Sequence, residues 1–222
     1  MRKTTAFAGL GLAAALVLSG CATTAAEEAP MEETEAVAID TVNSDGSALR
    51  AQLTALLADH VYLAAAAIDQ ALADGGDLTT ADVQAAVAVL DENSVEVAAL
   101  VGSAYPDAEQ PFLDSWRSHI PFFVNYTLGK ATGDEALAEQ AVADLNGYAV
   151  SFGQLINSVV PELPAEAVQA ELEMHAVSLL AAIDANIAGD PEYFSLLKEA
   201  AGHMPMTATA LAGGIAANLG IQ

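Results

Sequence analysis

The sequence of 222 residues has few basic and few aromatic side chains. It holds 6 lysine or arginine residues against 30 acidic ones, so its formal net charge is −24. A surface this acidic repels the phosphates of nucleic acids and of anionic lipid headgroups, which argues against both as partners. Only 5% of the residues are aromatic, and alanine supplies much of the hydrophobic fraction of 54%. High alanine content with scattered leucine is typical of closely packed helices.

Motifs for several kinds of catalysis are also missing. The chain has no glycine-rich phosphate loop, no GxSxG nucleophile motif and neither a CxxC nor a CxxCH motif. Its single cysteine, Cys21, has no second cysteine with which to form an internal disulfide. Ser151 and Ser178 have no histidine and aspartate partners that can be read from the sequence. We therefore expect a protein that is not an enzyme.

The N-terminus resembles the leader of a bacterial lipoprotein. Arg2-Lys3 precedes an uncharged apolar stretch at residues 6–18, which is shorter than the ~20 residues that span a bilayer but suits a signal peptide. Leu18-Ser19-Gly20-Cys21 follows and resembles the lipobox that lipoprotein signal peptidase reads. We expect removal of residues 1–20, lipid on Cys21, and an extracytoplasmic protein anchored to the cell membrane or outer membrane. The alternative is an ordinary signal peptide followed by a chance cysteine.

The mature chain is predicted to have two parts. Residues 21–46 are rich in Ala, Thr and Glu and have no sustained apolar period, which predicts a lipidated, acidic and disordered tether. Removal of residues 1–20 takes away two basic residues and no acidic one, so the mature charge becomes −26. Residues 47–222 are numerous enough for one sizeable core, and they form the predicted folded domain.

The predicted domain is all-α. Its apolar residues recur at helical spacing, and no segment alternates with period two over a useful length. Glycines at 75–76 and 189 suit helix C-termini, capping-box patterns occur at 79–82 and 132–135, and Asp190-Pro191 is typical of a helix start. These signals predict a single bundle of about six helices, near residues 47–73, 79–104, 108–129, 134–159, 165–188 and 191–218.

A degenerate repeat relates the predicted helices to one another. His60, His119 and His175 occupy matching positions in the first helix of three successive helical hairpins, 59 and 56 residues apart. The best-matched segment is Ala-Ala-Ile-Asp at 66–69, which recurs at 181–184. We therefore expect three related helical hairpins packed into one bundle.

Four histidines continue the apolar stripes of their own helices, at steps of three and four residues: His60, His119, His175 and His203. This spacing predicts that all four imidazoles turn inward. Neutral imidazole binds copper, zinc or iron, and the thioether of Met204, beside His203, favours Cu(I). The predicted metal site therefore comprises these four histidines and Met204, with copper as the first candidate. The alternative is that each histidine is an ordinary core residue, hydrogen-bonded to a carbonyl or a hydroxyl.

Two prolines follow histidines at the same spacing. Pro121 comes two residues after His119, and Pro205 comes two residues after His203. Each is expected to kink or end its helix, because proline has no N–H to donate and its ring displaces a carbonyl one turn earlier.

Short motifs spread over residues 47–219 resemble an uncharacterised family of bacterial exported all-helical proteins. They are Leu53-x-x-Leu56-x-x-x-His60, Leu90-x-x-Asn93, Trp116-x-x-His119, Phe123-x-x-Tyr126, Leu145-x-x-Tyr148 and His203-Met204. The resemblance implies the helical-repeat architecture and the placing of these polar residues, and it implies no activity.

Two functional hypotheses follow. In the first, the chain is a lipid-anchored extracytoplasmic protein that binds a transition metal through inward histidines. In the second, it is a structural or protein-interaction scaffold of the cell envelope, and its histidines belong only to the core. Two or more histidine nitrogens within about 4 Å of a common point would favour the metal site.

Overall fold

Helices make up nearly all of the part of the chain that the structure, a computed structural model, describes, which is residues 42–221. The predicted all-α class is confirmed, and residues 42–221 contain no strand. The helices are α1 (Asp45–Ala73), α2 (Ala81–Ala104), α3 (Glu109–Ser118), α4 (Ile120–Thr132), α5 (Glu135–Val159), α6 (Ala165–Ala188), α7 (Tyr193–Gly202) and α8 (Met204–Leu219), with a 3-10 turn at Pro106–Ala108 before α3.

Two of the six predicted helices are broken at a histidine. His119 separates α3 from α4, and His203 separates α7 from α8. The following prolines, Pro121 and Pro205, lie in the first turn of the new helix, where a missing N–H costs little. The predicted ranges near 108–129 and 191–218 therefore each contain two helices, and the expectation that the prolines kink or end a helix is confirmed.

The helix ends follow local side-chain chemistry. Gly189 ends α6 with a φ of 66°, in the left-handed region that glycine adopts without steric cost, as predicted. The predicted cap of α2 was one residue early. Asp77 accepts hydrogen bonds from the backbone N–H and the hydroxyl of Thr79, so Thr80 caps the helix instead and accepts from the N–H of Val83.

The other two predicted helix starts also shift. The hydroxyl of Thr132 donates to the carbonyl of Leu128 within α4, so Asp134 caps α5 and accepts from the N–H of Leu137. Asp190 accepts from the N–H of Glu192 in a turn, and α7 begins only at Tyr193. Asp134 thus supplies a side-chain cap for α5, whereas α7 begins after the Asp190 turn without a side-chain cap.

The helices pack into one closed bundle. α1 packs on α2, α2 on α3, α4 on α5, α5 on α6, and α6 on α7, and the bundle closes because α8 packs on α1. Glycine allows one of these contacts to be especially close. A Cβ atom at Gly153 of α5 would lie 2.5 Å from the carbonyl oxygen of Ala165, the first residue of α6.

Two equivalent hydrogen bonds relate the first and third hairpins. Asp69 and Asp184 end the repeated Ala-Ala-Ile-Asp sequence, and each carboxylate accepts a hydrogen bond from a tyrosine of another helix. Tyr193 donates to Asp69 at 2.9 Å and thus ties α7 to α1, while Tyr126 donates to Asp184 at 2.9 Å and ties α4 to α6. The repeated sequence therefore carries a repeated interaction.

Helix α1 is the one helix among residues 42–221 that is long and apolar enough to cross a membrane, by length and composition alone. The central helix of a packed bundle passes the same test, and the buried residues Leu53, Leu57 and Val61 of α1 belong to the core. The predicted signal peptide, Cys21 and most of the tether lie outside the described residues. The folded part begins at Asp45, close to the predicted boundary at residue 47.

Candidate functional site

Three of the four histidines come together inside the bundle. His60 lies in the middle of α1, His119 at the break between α3 and α4, and His175 in the middle of α6. His60 is 4% exposed and His119 is 6% exposed, while His175 is half-buried with its Nδ1 atom fully enclosed. We call these three residues the histidine layer, because all three line both of the internal cavities described below.

His60 and His119 face each other directly. Their Nε2 atoms are 3.4 Å apart. On its other side, Nδ1 of His60 lies 2.9 Å from Oδ1 of Asn93, and the amide nitrogen of Asn93 donates to the carbonyl of Leu56 at 3.0 Å. Because the amide nitrogen of Asn93 already donates to Leu56, the amide oxygen must be the atom that faces His60, and it accepts a hydrogen bond from Nδ1–H. The lone pair on Nε2 of His60 therefore points towards His119.

Aromatic rings enclose His119. The centroid of its ring lies 5.0 Å from that of Trp116, 5.0 Å from that of Tyr148 and 6.1 Å from that of Phe123. Phe123 also contacts His175, with centroids 6.4 Å apart. These rings surround the histidine layer with mostly apolar surface.

Burial makes the three imidazoles weak bases. It lowers the pKa of His60 to about 4, and the hydrogen bond that His60 donates to Asn93 offsets part of this effect. The pKa of His175 is also lowered to about 4, by burial first and by the nearby His60 and His203 second. Burial lowers the pKa of His119 well below its ordinary value, and the other two members of the layer act in the same direction. All three rings are therefore neutral at pH 7, and each carries a lone pair on one ring nitrogen.

Two cavities lie on either side of the histidine layer. The larger has a volume of about 190 Å³ and is lined by residues such as Leu57, Phe112 and Met204. The smaller has a volume of about 60 Å³ and is lined by residues such as Ile68 and Leu90. The three histidines line both, so they form part of the wall between two apolar spaces.

The remaining predicted site residues divide. Met204 is buried and lines the larger cavity together with the histidine layer. His203 is only half-buried, lines neither cavity and marks the start of α8. Within residues 42–221, no group of three or more histidine, cysteine, aspartate or glutamate side chains is arranged so that it could hold a metal ion. The structure thus brings His60 and His119 into direct contact, while His203 lies near His175 and outside the lining of both cavities.

Other polar groups of the site were not singled out as functional from the sequence. Asn93 is 3% exposed and lies between Leu90 and Val97 on the buried face of α2, so its signals were a polar residue at apolar spacing and the Leu90-x-x-Asn93 motif. Trp116 and Tyr148 were not assigned a role as polar residues. Nε1 of Trp116 and the hydroxyl of Tyr148 become relevant because both residues line the larger cavity.

Scans against protein-family models and searches of curated proteins and of solved structures find no match to this chain. The resemblance described above therefore stays a prediction.

Proposed function

We propose that the protein is a lipid-anchored, extracytoplasmic and non-enzymatic binding protein that holds one Cu(I) ion between His60 and His119. The observation that carries this proposal is the 3.4 Å separation of the two Nε2 atoms. Two nitrogens that each lie about 2.0 Å from one ion are about 3.3–3.5 Å apart when the angle at the ion is about 110–120°. The pair therefore has the spacing of two ligands in a trigonal or tetrahedral site.

The surroundings of His60 suit a ligand. A histidine that binds a metal commonly donates its other ring N–H to a fixed acceptor, which sets the tautomer and the orientation of the ring. Asn93 provides that acceptor, and the Leu56 carbonyl holds Asn93 in place. Because both imidazoles are neutral, a metal ion has no proton to displace from His60 Nε2.

The charge and softness of the site favour monovalent copper over zinc. The two imidazoles are neutral, and the cost of placing an ion in a dry interior rises with the square of its charge. The thioether of Met204 lines the same cavity and is the kind of soft ligand that prefers Cu(I). The acidic surface of the mature chain would also raise the local concentration of cations.

Metal binding can be read out from inside the protein. Trp116 is the only tryptophan, and its ring centroid is 5.0 Å from those of both His60 and His119. Cu(I) would be titrated into the purified protein under anaerobic, reducing conditions, with Zn²⁺ in parallel and a competing chelator to set the affinity scale. We expect one Cu(I) per chain, with quenching of the tryptophan, and much weaker binding of Zn²⁺.

Variants distinguish the two proposed ligands from His203, which lines neither cavity. His60→Leu and His119→Leu should each lower Cu(I) affinity at least about 100-fold, the larger effect expected when a ligand itself is lost. His203→Ala is the matched control and should bind like the wild type. Negligible copper in every protein, or equal losses in all three variants, would reject the site and favour the scaffold hypothesis.

The anchor has its own test. Cys21→Ala should abolish incorporation of labelled palmitate in cells and move the protein from the membrane fraction to a soluble one. Unchanged membrane attachment would contradict the lipoprotein proposal and leave the metal site untouched.

A further inference from the structure

We infer that the larger cavity is a binding site for a small, neutral and mostly apolar organic molecule that carries one hydroxyl or carbonyl group. This inference concerns a different ligand from the copper ion and does not depend on it. Its support comes from the size of the cavity, from unpaired polar atoms of its lining residues, and from the charges around it.

The size of the cavity suits a single small ring compound. Its volume of about 190 Å³ exceeds the about 150 Å³ of an engineered apolar cavity that takes up benzene. The walls are mostly aliphatic and aromatic, with Leu57, Phe112 and Phe152 among them. Half-buried residues, among them Tyr105 and Glu171, also belong to the lining, so the cavity approaches the protein surface.

Four buried polar atoms of the lining residues have no hydrogen-bond partner among the described residues. They are Nε1 of Trp116, the hydroxyl of Tyr148, and the Nδ1 atoms of His119 and His175. Trp116, His119 and Tyr148 are also neighbours, with ring centroids 5.0 Å apart along this series. Buried polar atoms in native proteins are rarely left unpaired, so a partner for this cluster is expected.

The kinds of atom in this cluster specify the partner. Nε1 of Trp116 can only donate, so it needs an acceptor oxygen or nitrogen. Imidazole and phenol groups can donate or accept, so a hydroxyl or a carbonyl group can satisfy them. A purely hydrocarbon ligand would fill the space and leave the cluster unpaired.

Charge excludes ionic ligands from the interior. Within the described lining there is no lysine or arginine. A carboxylate would therefore lose its hydration without a counter-ion. Glu171 is the one acidic residue of the lining, is only half-buried, and already accepts a hydrogen bond from Thr207.

A matched set of ligands tests this inference. Toluene, benzyl alcohol, benzoate and benzylammonium have nearly the same shape and differ in polarity and charge. Their binding to the purified protein would be measured by calorimetry and ligand-observed NMR at pH 7.5, with a chelator present to keep metal away from His60 and His119. We expect benzyl alcohol to bind about three- to tenfold more tightly than toluene, the gain from one neutral hydrogen bond, and benzoate not to bind.

Two variants locate the site. Trp116→Phe keeps most of the ring and removes Nε1, so it should abolish the preference for benzyl alcohol over toluene while toluene still binds. Ala176→Phe places a ring in the cavity and should weaken both ligands at least tenfold. Val177→Phe, next along α6 and 68% exposed, is its control and should bind like the wild type.

The following outcomes would overturn part or all of the inferred ligand site. Equal binding of toluene and benzyl alcohol would overturn the polar part of the inference and leave only an apolar cavity. No binding of any member, or binding that Ala176→Phe leaves unchanged, would overturn the inference as a whole. Neither result bears on copper, which is measured without these ligands. If Trp116→Phe fails to fold, Tyr148→Phe removes a second polar atom of the cluster and tests the same preference.

Discussion

The hydrogen bond between His60 and Asn93 allows a test of why a polar pair is kept inside this bundle. Both side chains are almost fully buried, and each is the other's partner at 2.9 Å. Asn93→Leu leaves Nδ1–H of His60 without an acceptor, which we expect to cost about 1–3 kcal/mol of unfolding free energy. His60→Leu leaves Oδ1 of Asn93 without a donor and should cost a similar amount, about 1–3 kcal/mol.

The double variant His60→Leu/Asn93→Leu leaves neither group unpaired. It should therefore lose less stability than the two single variants together, by at least about 1 kcal/mol. The carbonyl of Leu56 adds little to this sum, because it lies inside α1 and keeps its helical partner when Asn93 is removed. A pair that apolar residues can replace at small cost is kept for some purpose other than stability.

Urea unfolding measures these differences, with far-UV circular dichroism for the helices and Trp116 fluorescence for the surroundings of the histidine layer. A chelator keeps bound metal from adding to stability. Asn146→Leu, at an exposed position of α5, is the control and should change stability by less than about 0.5 kcal/mol. Additive losses in the double variant would show that the pair is not coupled and would refute the reasoning.

Two further predictions concern packing and pH. Gly153→Ala should destabilise the protein by about 1–3 kcal/mol, because its Cβ would meet the backbone of Ala165, whereas Gly147→Ala, with nothing within 4 Å, should stabilise by about 0.5–1 kcal/mol in thermal unfolding. The lowered pKa of His60 means that the unfolded chain binds a proton below about pH 6.5 that the folded chain binds only below about pH 4. The free energy of unfolding of the wild type should therefore fall on acidification. Measured by urea unfolding, the difference between the His60→Leu/Asn93→Leu variant and the wild type should shift by about 2.5 kcal/mol in favour of the variant between about pH 7.5 and 4.5. A constant difference would contradict the lowered pKa.

The sequence was sufficient for the helices and for the inward direction of three histidines. Both follow from the spacing of apolar residues along a single helix, which is local information. The breaks at His119 and His203 also had a local cause in the two following prolines, but the sequence did not show which residue would stop being helical.

The contact between His60 and His119 could not be predicted, because it depends on the heights and rotations of separate helices in the bundle. The same is true of His203, which shares the helical spacing of the other histidines but stands at the start of α8 and lines neither cavity. Asn93 shows the opposite case. Its position on the buried face of α2 could be read from the sequence, but its role depends on His60, which is 33 residues away.

The two internal cavities add empty volume to the folded protein. Unfolding lets water enter this space, so the partial molar volume falls and hydrostatic pressure shifts the equilibrium towards the unfolded chain. An ion held at the histidine layer takes up little of the empty space and would leave the pressure sensitivity of unfolding nearly unchanged. An organic ligand in the larger cavity would remove most of this pressure sensitivity, so the stability of the protein under pressure distinguishes the two kinds of ligand.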